Sequence, residues 1–343
     1  MSLSKEKDIV KLWSVAVLLV VIFTLSLFLG RYNIPPLELL ELIRKLITGQ
    51  STIEVATDNV WTVFYYIRLP RVILVTGVGA VLAITGTAYQ SIFRNPLVSP
   101  DLLGVSAGSC FGVALGMVLT DNSLTTIYLL AFIFGVVAVG LAYFIAVFGK
   151  GEDIMMMVLG GILVTSLFNA SISILKYLAD PYEKLPGIVF WLMGGFSRTG
   201  WSEVKFTLPF MVLGITIIYI LRWYLNVLSM GEEEAISLGV DAKALRLVII
   251  VITTLMVAAA VATTGQVTWI GLVVPHIARY LIGSDHRLML PTAALLGSTL
   301  LLLMDNLARC LTTVEIPISI ITAFLGAPFF AYLLISRQES GWN

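Results

Sequence analysis

Charge is scarce in this sequence: Asp, Glu, Lys and Arg make up 12% of 343 residues, against about 25% in an ordinary soluble domain. So few charges cannot clothe a water-facing surface of this size, which excludes a soluble globular enzyme. Acids and bases balance at 21 each, so no net field favours nucleic acid or an acidic partner. The two cysteines, Cys110 and Cys310, fall in apolar runs and read as small core residues, giving neither a disulfide framework nor a zinc site. His276 and His286 stand without a nearby cysteine, so no metal centre is expected, and His276 is read as hydrogen-bonding locally at a span end. No G-x-x-x-x-G-K-[ST] loop occurs, so the chain does not bind ATP through a P-loop.

What the sequence has instead is long apolar stretches. Runs free of charge cover 12–30, 72–93, 102–120, 122–149, 154–175, 206–221, 247–278, 288–304 and 316–336. Roughly 20 apolar residues cross a bilayer core as a helix. The run 247–278 would make a helix of roughly 48 Å at about 1.5 Å per residue, too long for one crossing, and it divides near Thr264 and Gly265. The expectation is an all-α polytopic membrane protein, a single transmembrane domain over 1–343 with about ten spans. The first run is long for a signal peptide, and Gly30, Arg31 and Tyr32 offer no small-x-small cleavage site, so it counts as a span.

An even span count places both termini on one side, and Lys5, Lys7 and Lys11 make that side the cytoplasm. The other basic residues then divide almost evenly between the two sides, with Arg31, Arg44, Lys45, Arg68, Arg71 and Arg309 among those outside. An outer partner with acidic patches is one reason for them; headgroups and local pairing are the other. Most tryptophans, such as Trp13, Trp191 and Trp269, flank apolar runs as interfacial anchors.

Gly104, Gly108, Gly112 and Gly116 recur every fourth residue and form a close-packing seam. An echo at an offset of 179 residues, Thr85-Gly86, Pro96 and Gly104 against Thr264-Gly265, Pro275 and Gly283, suggests two inverted halves. Asp305, with Arg309 one turn later, is the best buried ion pair, and with no second buried carboxylate beside it, an ion-coupled secondary transporter using Asp305 is the alternative reading. Ser166, Asn169 and Ser173, followed by Lys176, form a polar stripe that either glues helices or lines a path.

A polar island, SMGEEEAISLGVD at 229–241, interrupts the apolar runs on the cytoplasmic side. Ser229 and Glu232 read as a capping box, Gly239 as the left-handed end of a short helix, and Asp241 as the cap of the next. Glu232 and Glu233 supply an acidic rim, and Ala235, Ile236, Leu238 and Val240 an apolar side suited to a soluble partner.

The island resembles the coupling helices of the FecCD-type permeases of binding-protein-dependent ABC importers for iron-siderophore, haem and cobalamin. Further stretches are similar to that family: RLPRVILVTGVGAVLAITGTAYQSIFRNPLVSPDLLGVSAG at 68–108, FWLMGGF at 190–196, WIGLVVPHIARYLIGSDHR at 269–287 and IPISIITAFLGAPFF at 316–330, where Ser319 stands in place of a frequent glycine. The resemblance covers nearly the whole chain. It implies a permease subunit without chemistry of its own, importing a metal chelate or related nutrient such as an oxyanion across a bacterial or archaeal cytoplasmic membrane. It further implies a second copy of the chain, two ATPase subunits that hold the ATP and magnesium, and a periplasmic or lipid-anchored binding protein. By motif match, Glu232, Glu233, Ala235, Leu238, Gly239, Val240 and Asp241 would couple to the ATPase, and Arg68, Arg71 and Arg309 would dock the binding protein. Ser166, Asn169 and Ser173 would line the path, with Gly151, Glu152, Asp153 and Met156 near its inner gate.

Overall fold

A backbone crossing hydrocarbon can satisfy its N–H and C=O groups only within itself, so the apolar runs become helices. The computed structural model describes residues 3–48, 58–120, 123–149 and 154–337, and all regular structure there is helical. In chain order the helices are α1 (Leu3–Phe28), α2 (Pro36–Ile47), α3 (Asn59–Ile92), α4 (Val105–Leu119), α5 (Leu124–Phe148), α6 (Ile154–Leu178) and α7 (Lys184–Leu192). There follow α8 (Trp201–Ile220), α9 (Arg222–Met230), α10 (Glu232–Ser237), α11 (Ala242–Thr264), α12 (Ile270–Ile282), α13 (His286–Cys310) and α14 (Ile318–Arg337). Seven are long and apolar enough to span, namely α1, α3, α5, α6, α8, α11 and α13, and the shorter apolar α4, α12 and α14 account for the rest of the expected ten or so.

The most enclosed helix is α3, buried almost continuously from Pro70 to Ile92. Asp58 caps it by accepting from the Val60 and Trp61 amides at 2.7 and 3.2 Å, and residues Val63–Arg68 form a π-helical turn. It crosses α13 where Gly79 and Gly297 lie back to back, and α12 where Gly86 meets the Gly271 carbonyl; a methyl group at these crossings would overlap backbone. The glycine seam of α4 forms as expected from Gly108, Gly112 and Gly116 against α5. Gly104 is not on that face, because it precedes the helix at φ +81°.

The 247–278 run does break at Gly265, which takes φ +69° with the Trp191 carbonyl where a Cβ would be. Of the echo, Gly104 and Gly283 both take positive φ, +81° and +89°, whereas Gly86 is inside α3 and Gly265 ends α11, and Pro96 lies in a connection while Pro275 is inside α12. Two other readings also change. Cys310 is exposed rather than core, and Trp191 is no interfacial anchor but a buried ring with the Arg198 guanidinium 4.7 Å above it.

Candidate functional site

Three places hold the residues expected to act. The first is the island. The chain leaves α9 at Gly231, whose φ of +145° breaks the helix, and re-enters α10 at once. Ser229 is not the cap: still inside α9, it donates its hydroxyl to the Asn226 carbonyl at 2.7 Å, so the expected capping box does not form. The other end follows expectation. Gly239 takes φ +74°, its amide donates to Ile236 O and the Val240 amide to Ala235 O, both at 2.9 Å, which is the paired closure of a Schellman motif. Asp241 then accepts from the Lys243 and Ala244 amides at 3.1 and 3.0 Å. The apolar side proves to be two sides: Ala235 is fully buried and Val240 partly so, anchoring the knob, while Ile236 and Leu238 are 65% and 55% exposed at its tip. Glu232 reaches Arg246 of α11 at 3.5 Å.

The island is tied to the bundle by a hydrogen-bonded chain that the sequence did not reveal. Asn226 of α9 donates to Asp285 at 2.9 Å and accepts from the His286 amide at 2.9 Å and from His286 Nδ1–H at 2.7 Å; His286 Nε2 meets the Ser91 hydroxyl of α3 at 2.6 Å. Burial acts to raise the Asp285 carboxyl, but the Arg287 amide, the Asn226 amide and the neighbouring positive charges outweigh it and hold the group below the ordinary carboxylate range. Asn226, His286 and Ser91 thus link α9 to the first residue of α13 and the last turn of α3. The other histidine, His276, bonds the Pro96 carbonyl, distant in sequence, at 2.9 Å.

The second place is the opposite end of α3 and α13. Arg68, Arg71 and Arg309 are only 4%, 6% and 6% exposed, and Asp305 1%. As a surface for a partner's acids these arginines are therefore a corrected expectation. Arg68 donates to the carbonyls of Leu27 and Phe28, acceptors left over in the last turn of α1, at 2.9 and 2.6 Å, and to that of Tyr32 in the connection that follows. Arg309 joins it on Ser26 O. Arg71 grips Asp305 at 2.8 Å and Glu315 at 2.9 Å. Asp305 thus has Arg71 as its main partner, with Arg309 farther off at 3.7 Å, and the neighbouring carboxylate, Glu315, is only half-buried.

The third place is the face of α6. Ser166, Asn169 and Ser173 are exposed, and both serines return their protons to their own helix, at Ile162 O and Asn169 O, each at 2.9 Å. Asn169, Ser173 and Lys176 open into a cleft of about 360 Å³ together with Asp101, Ser106 and Gln266. Sequence reading missed Asp101 and Gln266, which lie in connections that carry no periodic signal. Near the island Met155 is exposed beside Arg94 and Glu232, whereas Met156 packs inward. Gly151, Glu152 and Asp153, expected at the inner gate, lie outside the described residues. Ser319 fits its site by donating to Gln266 O at 2.6 Å, a bond a glycine could not make. Among the described residues no group of three His, Cys, Asp or Glu is placed to hold a metal ion.

Comparison with known proteins agrees on one class. The profile of the FecCD transport family matches residues 18–336. The molybdate import system permease protein MolB of Haemophilus influenzae is 38% identical over 332 residues, 97% of each chain. The hemin transport system permease protein HmuU of Yersinia pestis is 37% identical over 292 residues, covering 82% of this chain and 86% of that one. A solved inward-facing structure of a metal-chelate type ABC transporter superposes with a TM-score of 0.84 at 38% identity, over 95% of this chain and 98% of the other.

Proposed function

The chain belongs to the FecCD transport family, as a membrane-spanning permease subunit whose ATPase is a separate subunit, and from that premise we propose that residues 229–241 are its coupling element. The supporting observation is the knob itself: Ile236 and Leu238 stand exposed on a turn made rigid by the Schellman closure and the Asp241 cap. Apolar side chains held out on a stiff stalk suit insertion into a cleft of another protein. The His286 chain would carry its displacement to α3 and α13. Both termini then lie in the cytoplasm with the island, which agrees with Lys7 and Lys11 near the start.

Two copies of the chain would meet across the exposed faces of α6, and Ser166, Asn169 and Ser173 would border the path between them. The cargo would be of the kind named for the relatives, a metal chelate or an oxyanion such as molybdate, delivered by a binding protein at the outer face. That protein would meet exposed basic residues such as Arg44, Lys45 and Arg198, not the three buried arginines.

The test is a pull-down from native membranes in mild detergent, with Leu238→Asp beside the wild type. An ATPase should co-purify with the wild type and be lost from the variant at unchanged permease level. Equal recovery from both would remove the knob from the coupling role.

A further inference from the structure

At the island's end of the bundle, α5, α6 and α11 part around a cleft of about 160 Å³ that the transport reading does not use. Tyr143, Lys243 and Arg246 supply its polar lining, and Val147, Met157 and Leu247 much of its apolar lining. Arg246 is nine-tenths buried; it gives one arm to Glu232, and its Nε–H is enclosed with no hydrogen-bond acceptor among the described residues. The lost hydration makes such a donor costly, so the guanidinium favours a site where an anion can approach it. Around the mouth the helix surfaces are exposed and apolar: Phe144, Val147 and Phe148 on α5, with Leu247, Val248 and Val251 on α11. On helices that span a membrane, such apolar surfaces suit hydrocarbon.

Cations at the floor and hydrocarbon-facing walls select a ligand with an anionic head and an aliphatic tail, as basic pockets between spans do elsewhere. We propose that this cleft binds the headgroup of an anionic phospholipid from the leaflet on the island's side, its phosphate on Arg246 and Lys243 and an acyl chain along Val147 and Leu247. A soluble phosphate could meet the guanidinium but would leave the apolar walls unused. The site also has a consequence for the island, because the same guanidinium holds Glu232 in the first turn of α10. The headgroup and the knob share one anchor, so leaflet composition sets how firmly the knob is held. This inference requires only that the chain spans a membrane, whichever partner the island meets.

The full chain, purified in mild detergent and stripped of lipid, is given phosphatidylglycerol or phosphatidylcholine at equal concentration and read by native mass spectrometry. Phosphatidylglycerol should be retained preferentially. Arg246→Gln should weaken it about fivefold, the contribution of one basic residue at a membrane surface. Ala244→Trp, at an exposed position on the cleft's rim, should block the adduct while leaving the Arg246–Glu232 pair intact, so a folding defect in the first variant does not decide the matter. Arg287→Gln, at the same end but outside the cleft, should change nothing. Equal retention of both lipids by the wild type, an equal loss in Arg287→Gln, or displacement by inorganic phosphate alone would overturn the proposal, the last by making the ligand a soluble oxyanion.

Discussion

A guanidinium is enclosed in this fold where it replaces something the backbone lacks. Arg68 and Arg309 serve the last carbonyls of α1, and Arg71 neutralises Asp305 and Glu315. Sequence reading found these residues by their motifs but put them on the surface, because basic residues near span ends ordinarily face water. What it lacked was that carbonyls in the last turn of α1 take side-chain donors from α3 and α13, which draws those arginines inward. The strength of the arrangement is testable. Asp305→Asn leaves Arg71 and Arg309 partly unpaired, and breaking a buried pair costs about 3–5 kcal/mol; the unfolding temperature in detergent should fall sharply. Uptake per folded molecule should stay independent of the proton gradient. A variant of full stability that had gained or lost dependence on that gradient would restore the ion-coupled reading.

Among the elements, the spans were legible because a helix in lipid must be long and apolar, and nothing else satisfies the backbone there. The short helices of the island were legible at Gly239 and Asp241, where only certain residues suit the backbone. They were not legible at Ser229, since a serine followed three residues later by a glutamate can equally be the end of the previous helix. Gly231, with its break at φ +145°, decided it. The stalk of the knob rests on Gly239, which has open space where a Cβ would stand, so strain there is purely conformational. An L-residue in that region costs about 1–2 kcal/mol. Gly239→Ala should therefore loosen the Schellman closure and reduce transport-coupled ATPase activity in a reconstituted importer, with expression and span packing unchanged. Gly239→Asn should do so less, since asparagine tolerates this conformation. Equal loss in both variants would mean that the position matters for contact rather than for shape.

At the scale of the molecule the two ends differ in kind. One is an apolar knob whose preceding helix, α9, is hydrogen-bonded to α13 and through it to α3; the other is a largely buried charge cluster at the floor of a cleft that Arg198 also lines. If exposed basic residues guide a binding protein, Arg44→Glu with Lys45→Glu should weaken its association, more at low salt than at high, as surface binding in detergent would read. Affinity that ignores both the substitutions and the salt would place the docking elsewhere. Arg68→Glu, in contrast, should act through stability and show no salt dependence. The same cluster has a consequence in time. The carbonyl of Ser26 waits for Arg309, which follows it by 283 residues, and at about 5–20 residues per second of synthesis that is roughly 15 to 60 seconds. Arg68 reaches the neighbouring carbonyls of Leu27 and Phe28 after about 40 residues, so for most of that interval the end of α1 is served on two carbonyls and lacks its third donor, which the growing chain must bring back from α13.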